Sequence, residues 1–159
     1  MPPTRQTLLR LVAENASMHA EPLLAGLLEL LSEARGAFAG DVDKFLIMLV
    51  VAIRAAGHRD FADAVRRRRM EGGPSVFPSL GVNIQSVADS IGAPKETIRR
   101  KVSDLVEMGW IERRGNDLHL TPAAYESLKP LREGIYALAA RHYEVVDAMI
   151  ANPAPPPEA

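Results

Sequence analysis

The stretch IQSVADSIGAPKETIRRKVSDLVEMGWIERRGNDLHLT, residues 84–121, decides how the rest of the chain is read. Residues 84–90 read as a short helix, Ile91-Gly92-Ala93 as a turn, and Pro94 as the opening of a second helix over 94–108. Proline suits a first helical turn, where its missing N–H costs nothing. Ile98, Val102, Leu105 and Val106 recur at helical spacing and are expected to face a core. Gly109 follows Met108 where a left-handed C-cap belongs. Trp110-Ile111 then starts a strand over 110–114. Arg114-Gly115-Asn116-Asp117 supplies turn residues, and Leu118 and Leu120 alternate along a second strand over 117–120. Helix, tight turn, helix and β-hairpin make a winged helix-turn-helix. The expected fold class is mainly α with a small β-hairpin wing.

Upstream of this module the chain is helical and apolar. Leu8, Leu9, Leu11 and Val12 predict an amphipathic helix over 4–16 with Thr4 as N-cap. A second helix opens near Glu21-Pro22 and carries Leu23, Leu24, Leu27, Leu28, Leu30 and Leu31, a stripe wide enough to be packed on more than one side. Gly36 and Gly40 mark a break, and Asp41 is a good N-cap for a helix over 42–56 that is apolar almost all round. A short helix is expected over 59–70, ending in Arg66, Arg67, Arg68 and Arg69, followed by the Gly/Pro-rich connector 71–81. Val82-Asn83-Ile84 can add a short strand to the wing. Downstream, Thr121-Pro122 opens a helix to about residue 129, Pro130 restarts it, and 131–150 continue with an apolar face. The ends, Met1-Pro2-Pro3 and the Pro-rich tail 152–159, are expected to be frayed or extended. The organisation is thus 1–57, an N-terminal helical segment; 58–81, the arginine-rich helix and connector; 82–121, the winged module; 122–151, C-terminal helices; and 152–159, the tail.

Composition narrows the function classes. The chain has 159 residues, 47% of them apolar and 25% charged, enough for a core in one domain with extensions. It has no cysteine, which excludes disulfides, thiol redox sensing and cysteine-ligated metal. The four histidines, His19, His58, His119 and His142, are scattered and suggest no metal site. No signal-peptide pattern opens the sequence, and the longest apolar run, residues 45–53, is far too short for a bilayer, so a cytoplasmic protein with no membrane partner is expected. With no Gly-rich phosphate loop, no nucleophile motif and no clustered carboxylate–histidine set, neither an enzyme nor a cofactor is expected. Net charge is −1, so any nucleic-acid footprint has to be local.

In a helix-turn-helix the second helix enters the major groove. With Ile98, Val102, Leu105 and Val106 facing inward, the opposite face carries Glu96, Arg100, Ser103 and Glu107, flanked by Thr97, Arg99 and Lys101. Arg100 is the best candidate for a bidentate contact to guanine, and Thr97 and Ser103 can reach bases or phosphates. Glu96 can accept from a cytosine amino group or pair with Arg99 or Arg100. Lys95, Arg99 and Lys101 are placed for phosphates, which position without carrying sequence information. Gln85 and Ser86, at the start of the first helix, can donate to a phosphate oxygen. Arg113, Arg114 and Asn116 at the wing tip can follow the backbone or enter the minor groove. Trp110 is read as core under the hairpin and His119 as ordinary surface. The arginine run at 66–69 can bind phosphate, offset its own helix dipole, or simply be solvated.

These residues also resemble a family pattern. SVADSIGAPKETIRRKVSDLVEMGWIER, ending in LHLTPAA, is similar to the winged helix-turn-helix of bacterial transcriptional regulators, most nearly the MarR-like type. The GntR and IclR groups share its rhythm. The resemblance covers about 40 residues strongly and implies a homodimer on double-stranded DNA. N- and C-terminal helices, here residues 8–31 and 131–150, would interlock as a dimerisation layer and present two modules to a pseudo-palindromic site. The recognition-helix role falls on 94–108 and the wing role on 113–116. The wing is short and lacks the Asp-x-Arg signature common in MarR-like wings, so a deep minor-groove contact is not implied; 57–81 is an insertion near where family ligand pockets lie, so no small-molecule effector is implied. The rival expectations are a winged-helix protein-interaction module and a non-specific architectural DNA binder.

Overall fold

The computed structural model describes residues 3–72 and 80–152. The expectations for Met1-Pro2, for most of the connector and for the tail beyond Asn152 lie outside the described residues. The chain is mainly helical with one small antiparallel sheet: α1 (Arg5–Asn15), α2 (Ala20–Ala37), α3 (Val42–Ala56), α4 (Phe61–Met70), β1 (Val82–Asn83), α5 (Ile84–Ile91), α6 (Lys95–Glu107), β2 (Ile111–Arg114), β3 (Asp117–Leu120), α7 (Pro122–Ser127) and α8 (Lys129–Ala151). It divides into two compact units, Ala34–Lys129 and a second made of Met1–Glu33 with Pro130–Ala159. Among the described residues, no helix is long and apolar enough to cross a membrane.

The central unit is built on α3, α5 and α6, which pack on one another and on the sheet. Sequence grouping puts α3 with the N-terminal helices; its side chains Phe45, Ile47, Met48 and Val51 are instead core of this unit. On α6, Ile98, Val102 and Leu105 are fully buried. Each such side chain removed from water contributes about 1.5–3 kcal/mol. Val106, expected to join them, is exposed. Pro94 also differs by one position. It precedes the helix as the N-cap, with an extended ψ of 135°, and its carbonyl accepts from Ile98 N–H to close the first turn. The other end follows expectation: Gly109 takes φ 72°, Gly109 N–H bonds to Val106 O, and Trp110 N–H bonds to Leu105 O. These two bonds are the Schellman motif, which only a residue free to adopt positive φ closes without strain.

The same cap launches the ribbon. β2 pairs with β3 in the register Ile111↔Leu120 to Arg114↔Asp117, leaving Gly115 and Asn116 as a two-residue loop. Gly115 at φ 62° supplies the left-handed residue such a loop needs. β1 joins β3 on its other side, Val82↔Leu118 and Asn83↔Asp117, giving the strand order β1-β3-β2. Trp110 is half-buried and meets the Phe38 ring edge-on, 5.2 Å between centroids, with Phe45 a further neighbour of Phe38. This explains why α2 does not break at Gly36. Another turn carries Ala34 and Phe38, four residues apart, into the core, and the chain turns only at Ala39 and Gly40, both with positive φ.

Thr121 closes the base of the ribbon. Its hydroxyl donates to Gly109 O (2.6 Å) and accepts from Ala124 N–H (3.1 Å), so one side chain ties the end of α6 to the N-cap of α7. Thr121→Ala is expected to lower the unfolding free energy by about 1–2 kcal/mol, the upper part of the range for an N-cap. Thr121→Ser should keep most of it, and urea titrations of both variants check the pair.

In the second unit α1 is capped by Thr4, whose hydroxyl accepts from Thr7 N–H, and Asn15 is buried with its amide donating to Leu11 O. The first part of α2 meets α8 closely. A Cβ on Gly26 would lie 3.0 Å from Leu138, so glycine is what admits that side chain. Arg141 pairs with Glu29 at 3.2 Å, and His142 Nε2 bonds to Leu23 O at 3.0 Å.

Candidate nucleic-acid interface

The start of α5, the N-terminal half of α6 and the ribbon surround an open cleft of about 550 Å³. Alternation along the ribbon determines what enters it. Ile111, Arg113, Leu118 and Leu120 share one face, because Arg113 lies opposite Leu118 and Ile111 opposite Leu120. Ile111 and Leu118 are buried, so this is the face turned to the helices, and Arg113 extends from it at the rim. Lys95 and Arg99, four residues apart on α6, form the facing wall. Gln85 and Asn116 complete the polar lining, and Asp117, with Glu96 against Arg99, sets two carboxylates beside the three cations. A walled basic cleft concentrates field lines and favours an anionic chain lying along it.

Of the residues singled out from sequence, Gln85, Lys95, Arg99, Arg113 and Asn116 are therefore brought together. Glu96, Arg100 and Ser103 lie exposed along the outward face of α6, with Thr97 half-buried beside them. Glu96 takes the pairing alternative, bonding Arg99 at 2.7 Å, a surface pair that a phosphate can displace at little cost. Ser103 donates to Arg99 O at 3.1 Å, so its hydroxyl is partly engaged by the helix backbone. Arg100 has no ion-pair partner among the described residues and remains available.

Four placements revise the expected roles. Lys101 does not stand with the cations of the cleft. Its ammonium is 2.6 Å from Asp41 and 3.2 Å from Asp43, with the side chain only 14% exposed. Beside it, Lys44 pairs with Asp104 at 2.8 Å, so the pairs clamp α6 to the first turn of α3. Burial alone would raise the Asp41 carboxyl; the Lys101 hydrogen bond and charge outweigh it and hold the group below its ordinary value. The hydrogen bond to Asp41 likewise raises Lys101. This also accounts for Asp41 making no side-chain cap bond to α3.

Arg114 is on the outer face of the ribbon, opposite to Arg113, and bonds Glu112 at 2.9 Å. That bond raises the guanidinium and lowers the Glu112 carboxyl. Ser86 is half-buried, and its backbone N–H is donated to Asn83 Oδ1 at 2.8 Å. Gln85, although in the cleft, has its amide nitrogen on Asp89 at 2.7 Å. Asn83 is the residue that sequence reading missed. It caps α5, pairs across to Asp117 and lines the cleft. An asparagine directly before an apolar helical run was the available signal.

Among the described residues, no group of three or more His, Cys, Asp or Glu side chains is placed to hold a metal ion. Comparison with protein-family models, with curated proteins and with solved structures gives no match.

Proposed function

We propose that this chain is a sequence-specific DNA-binding transcriptional regulator, a winged helix-turn-helix protein acting as a homodimer on a pseudo-palindromic site. The observation that carries the reading is the convergence of Lys95, Arg99 and Arg113 on one cleft between α6 and the ribbon, in a chain whose net charge is −1. A local basic concentration against an otherwise neutral surface is what phosphate recognition requires. Arg100, exposed on the outward face of α6, is then free to address guanine in the major groove.

The homodimer is supported by apolar surface in the second unit. Leu24, Leu27, Leu28 and Leu31 fall at i, i+3, i+4 and i+7 on α2, with Leu24 62% and Leu28 68% exposed. On α8, Tyr136, Tyr143 and Ile150 are exposed at seven-residue intervals, the spacing of a helix–helix seam. Faces of this kind are unfavourable in water and are covered by association.

The test is selection of fragmented bacterial genomic DNA by the purified protein at about 150 mM salt. Enrichment of one imperfect palindrome, with half-sites about one helical turn apart, is the expected result. Arg100→Ala should then cost about tenfold in affinity for the enriched site and little elsewhere, the scale of one lost base contact. Arg113→Ala should weaken all duplexes alike. Uniform recovery of fragments would instead indicate an architectural binder. A chain that retains no DNA would overturn the reading in favour of a protein-interaction module, for which the outward face of α6, with Arg100 between Glu96 and Glu107, is suitably charge-balanced.

A further inference from the structure

The arginine run at 66–69 stands apart from the cleft residues and has its own geometry. Phe61, Ala64, Val65 and Arg68 are the half-buried residues of α4 and fall at i, i+3, i+4 and i+7, so they mark the face turned to the protein. Four consecutive residues step around a helix by about 100° each. The arginines therefore encircle its last turn rather than forming one stripe. Arg68 is on the sheltered face. Arg66 is held by Asp63 at 2.7 Å. Arg67 and Arg69 are exposed on opposite flanks, with no ion-pair partner among the described residues.

The helix carries four guanidinium groups against one carboxylate of its own, Asp63, with Asp60 and Glu71 capping its two ends. Their position in the last turn is favourable to the helix dipole, but that interaction is worth only a fraction of one charge and leaves most of the mutual repulsion in place. A polyanion would relieve it, and guanidinium groups grip phosphate oxygens with two parallel N–H bonds.

The chain itself limits how far this turn is from the cleft. Seven residues lie between Gly72, just past α4, and Leu80, just before β1, so eight chain steps link them. Eight steps span at most about 28 Å. Asn83 of β1 lines the cleft, and one turn of duplex is about 34 Å long. The end of α4 and the start of β1 can therefore lie within about one turn of a single duplex.

We propose that the last turn of α4, through Arg67 and Arg69, is a second DNA contact that grips phosphates flanking the site addressed by α6. It adds affinity and no sequence information. The proposal rests on the DNA-binding reading above.

The experiment compares the full chain with the double variant Arg67→Gln/Arg69→Gln on a fixed mixed-sequence duplex and on the best genomic fragment, from about 50 to 300 mM salt. Each lost phosphate contact should reduce the slope of log K against log salt by about 0.9, so the double variant is expected to lose about 2 from the slope on both duplexes. Affinity should fall about tenfold near physiological salt, with the ratio between the two duplexes unchanged. A circular-dichroism melt matching wild type confirms that these exposed residues were replaced without unfolding. If wild type binds and the variant keeps the same slope and affinity, the proposal fails alone. If wild type binds neither duplex, the DNA reading fails and takes the proposal with it. Unchanged duplex binding combined with loss of adhesion to phosphatidylserine/phosphatidylcholine vesicles would overturn it in favour of a membrane surface.

Discussion

Leu105→Ala is expected to lower the unfolding free energy by about 3 kcal/mol, within the usual range for a buried leucine truncated in a packed core. Leu105 is fully buried. It sits at the C-terminal end of α6, the helix that packs on α3, α5 and β2. Its backbone carbonyl also receives the Trp110 bond of the helix cap. These surroundings are fixed by helix–helix packing and by the cap, so they have little room to collapse into the space left behind. A loss of this size corresponds to a fall in melting temperature of about 10 °C. Urea titration should show an earlier midpoint with an unchanged slope. Val106→Ala, one residue along, is the matched control. Val106 is on the exposed side, and its truncation should cost under about 0.5 kcal/mol. Equal losses at the two positions would contradict the packing of α6 described above.

Lys101→Met should be the second large effect, and it should appear in stability rather than in DNA binding. The variant keeps the apolar stem and removes the ammonium, leaving Asp41 and Asp43 beside each other without their counter-charge. The expected cost is about 2 kcal/mol at neutral pH, mostly the penalty of the stranded carboxylates. Adding Asp41→Asn should restore part of it, because the group left behind no longer carries charge. The pH dependence follows from the two shifts. Asp41 is lowered from 3.8, so its share of the stability is present above that value and disappears as pH falls through the lower folded value. Lys101 is raised from 10.5, so its share is complete below that value and disappears as pH rises through the higher folded one. The difference between wild type and Lys101→Met should be flat between these limits and shrink beyond either. If Lys101→Met instead left stability unchanged and lowered the salt slope of DNA binding, Lys101 would be a phosphate contact after all.

The central module was legible because its signals are local. Gly92, Gly109 and Gly115 each fall where positive φ is needed, and Ile98, Val102 and Leu105 lie within about 60° of one another around α6. Val106 fails for the same geometric reason, since it lies about 70° from the centre of that arc. Pairing across sequence distance was not legible. Lys101 finds Asp41 sixty residues earlier, a contact created by the packing of α3 on α6 and by nothing in the local pattern. The difference between Arg113 and Arg114 was available in principle. Alternation from the buried Ile111 puts Arg113 on the inner face, but treating both as tip residues conceals it. The breadth of the leucine stripe on α2 was plain in the sequence. Which leucines remain uncovered was not, because that depends on where α8 crosses.

The two-sided ribbon makes the cleft sensitive to parity. Ile111 anchors β2 at its base, so an even number of steps from it leads to Arg113 inside, and an odd number leads to Arg114 outside beside Glu112. Deleting Glu112, the one residue between anchor and tip that is not an arginine, would exchange the two arginines without changing the ribbon's basic groups. Inserting two there would keep the original order on a longer arm. The length of the ribbon is therefore quantised in pairs, and its reach can be adjusted only in steps of about 7 Å if the charge offered to the cleft is to stay the same.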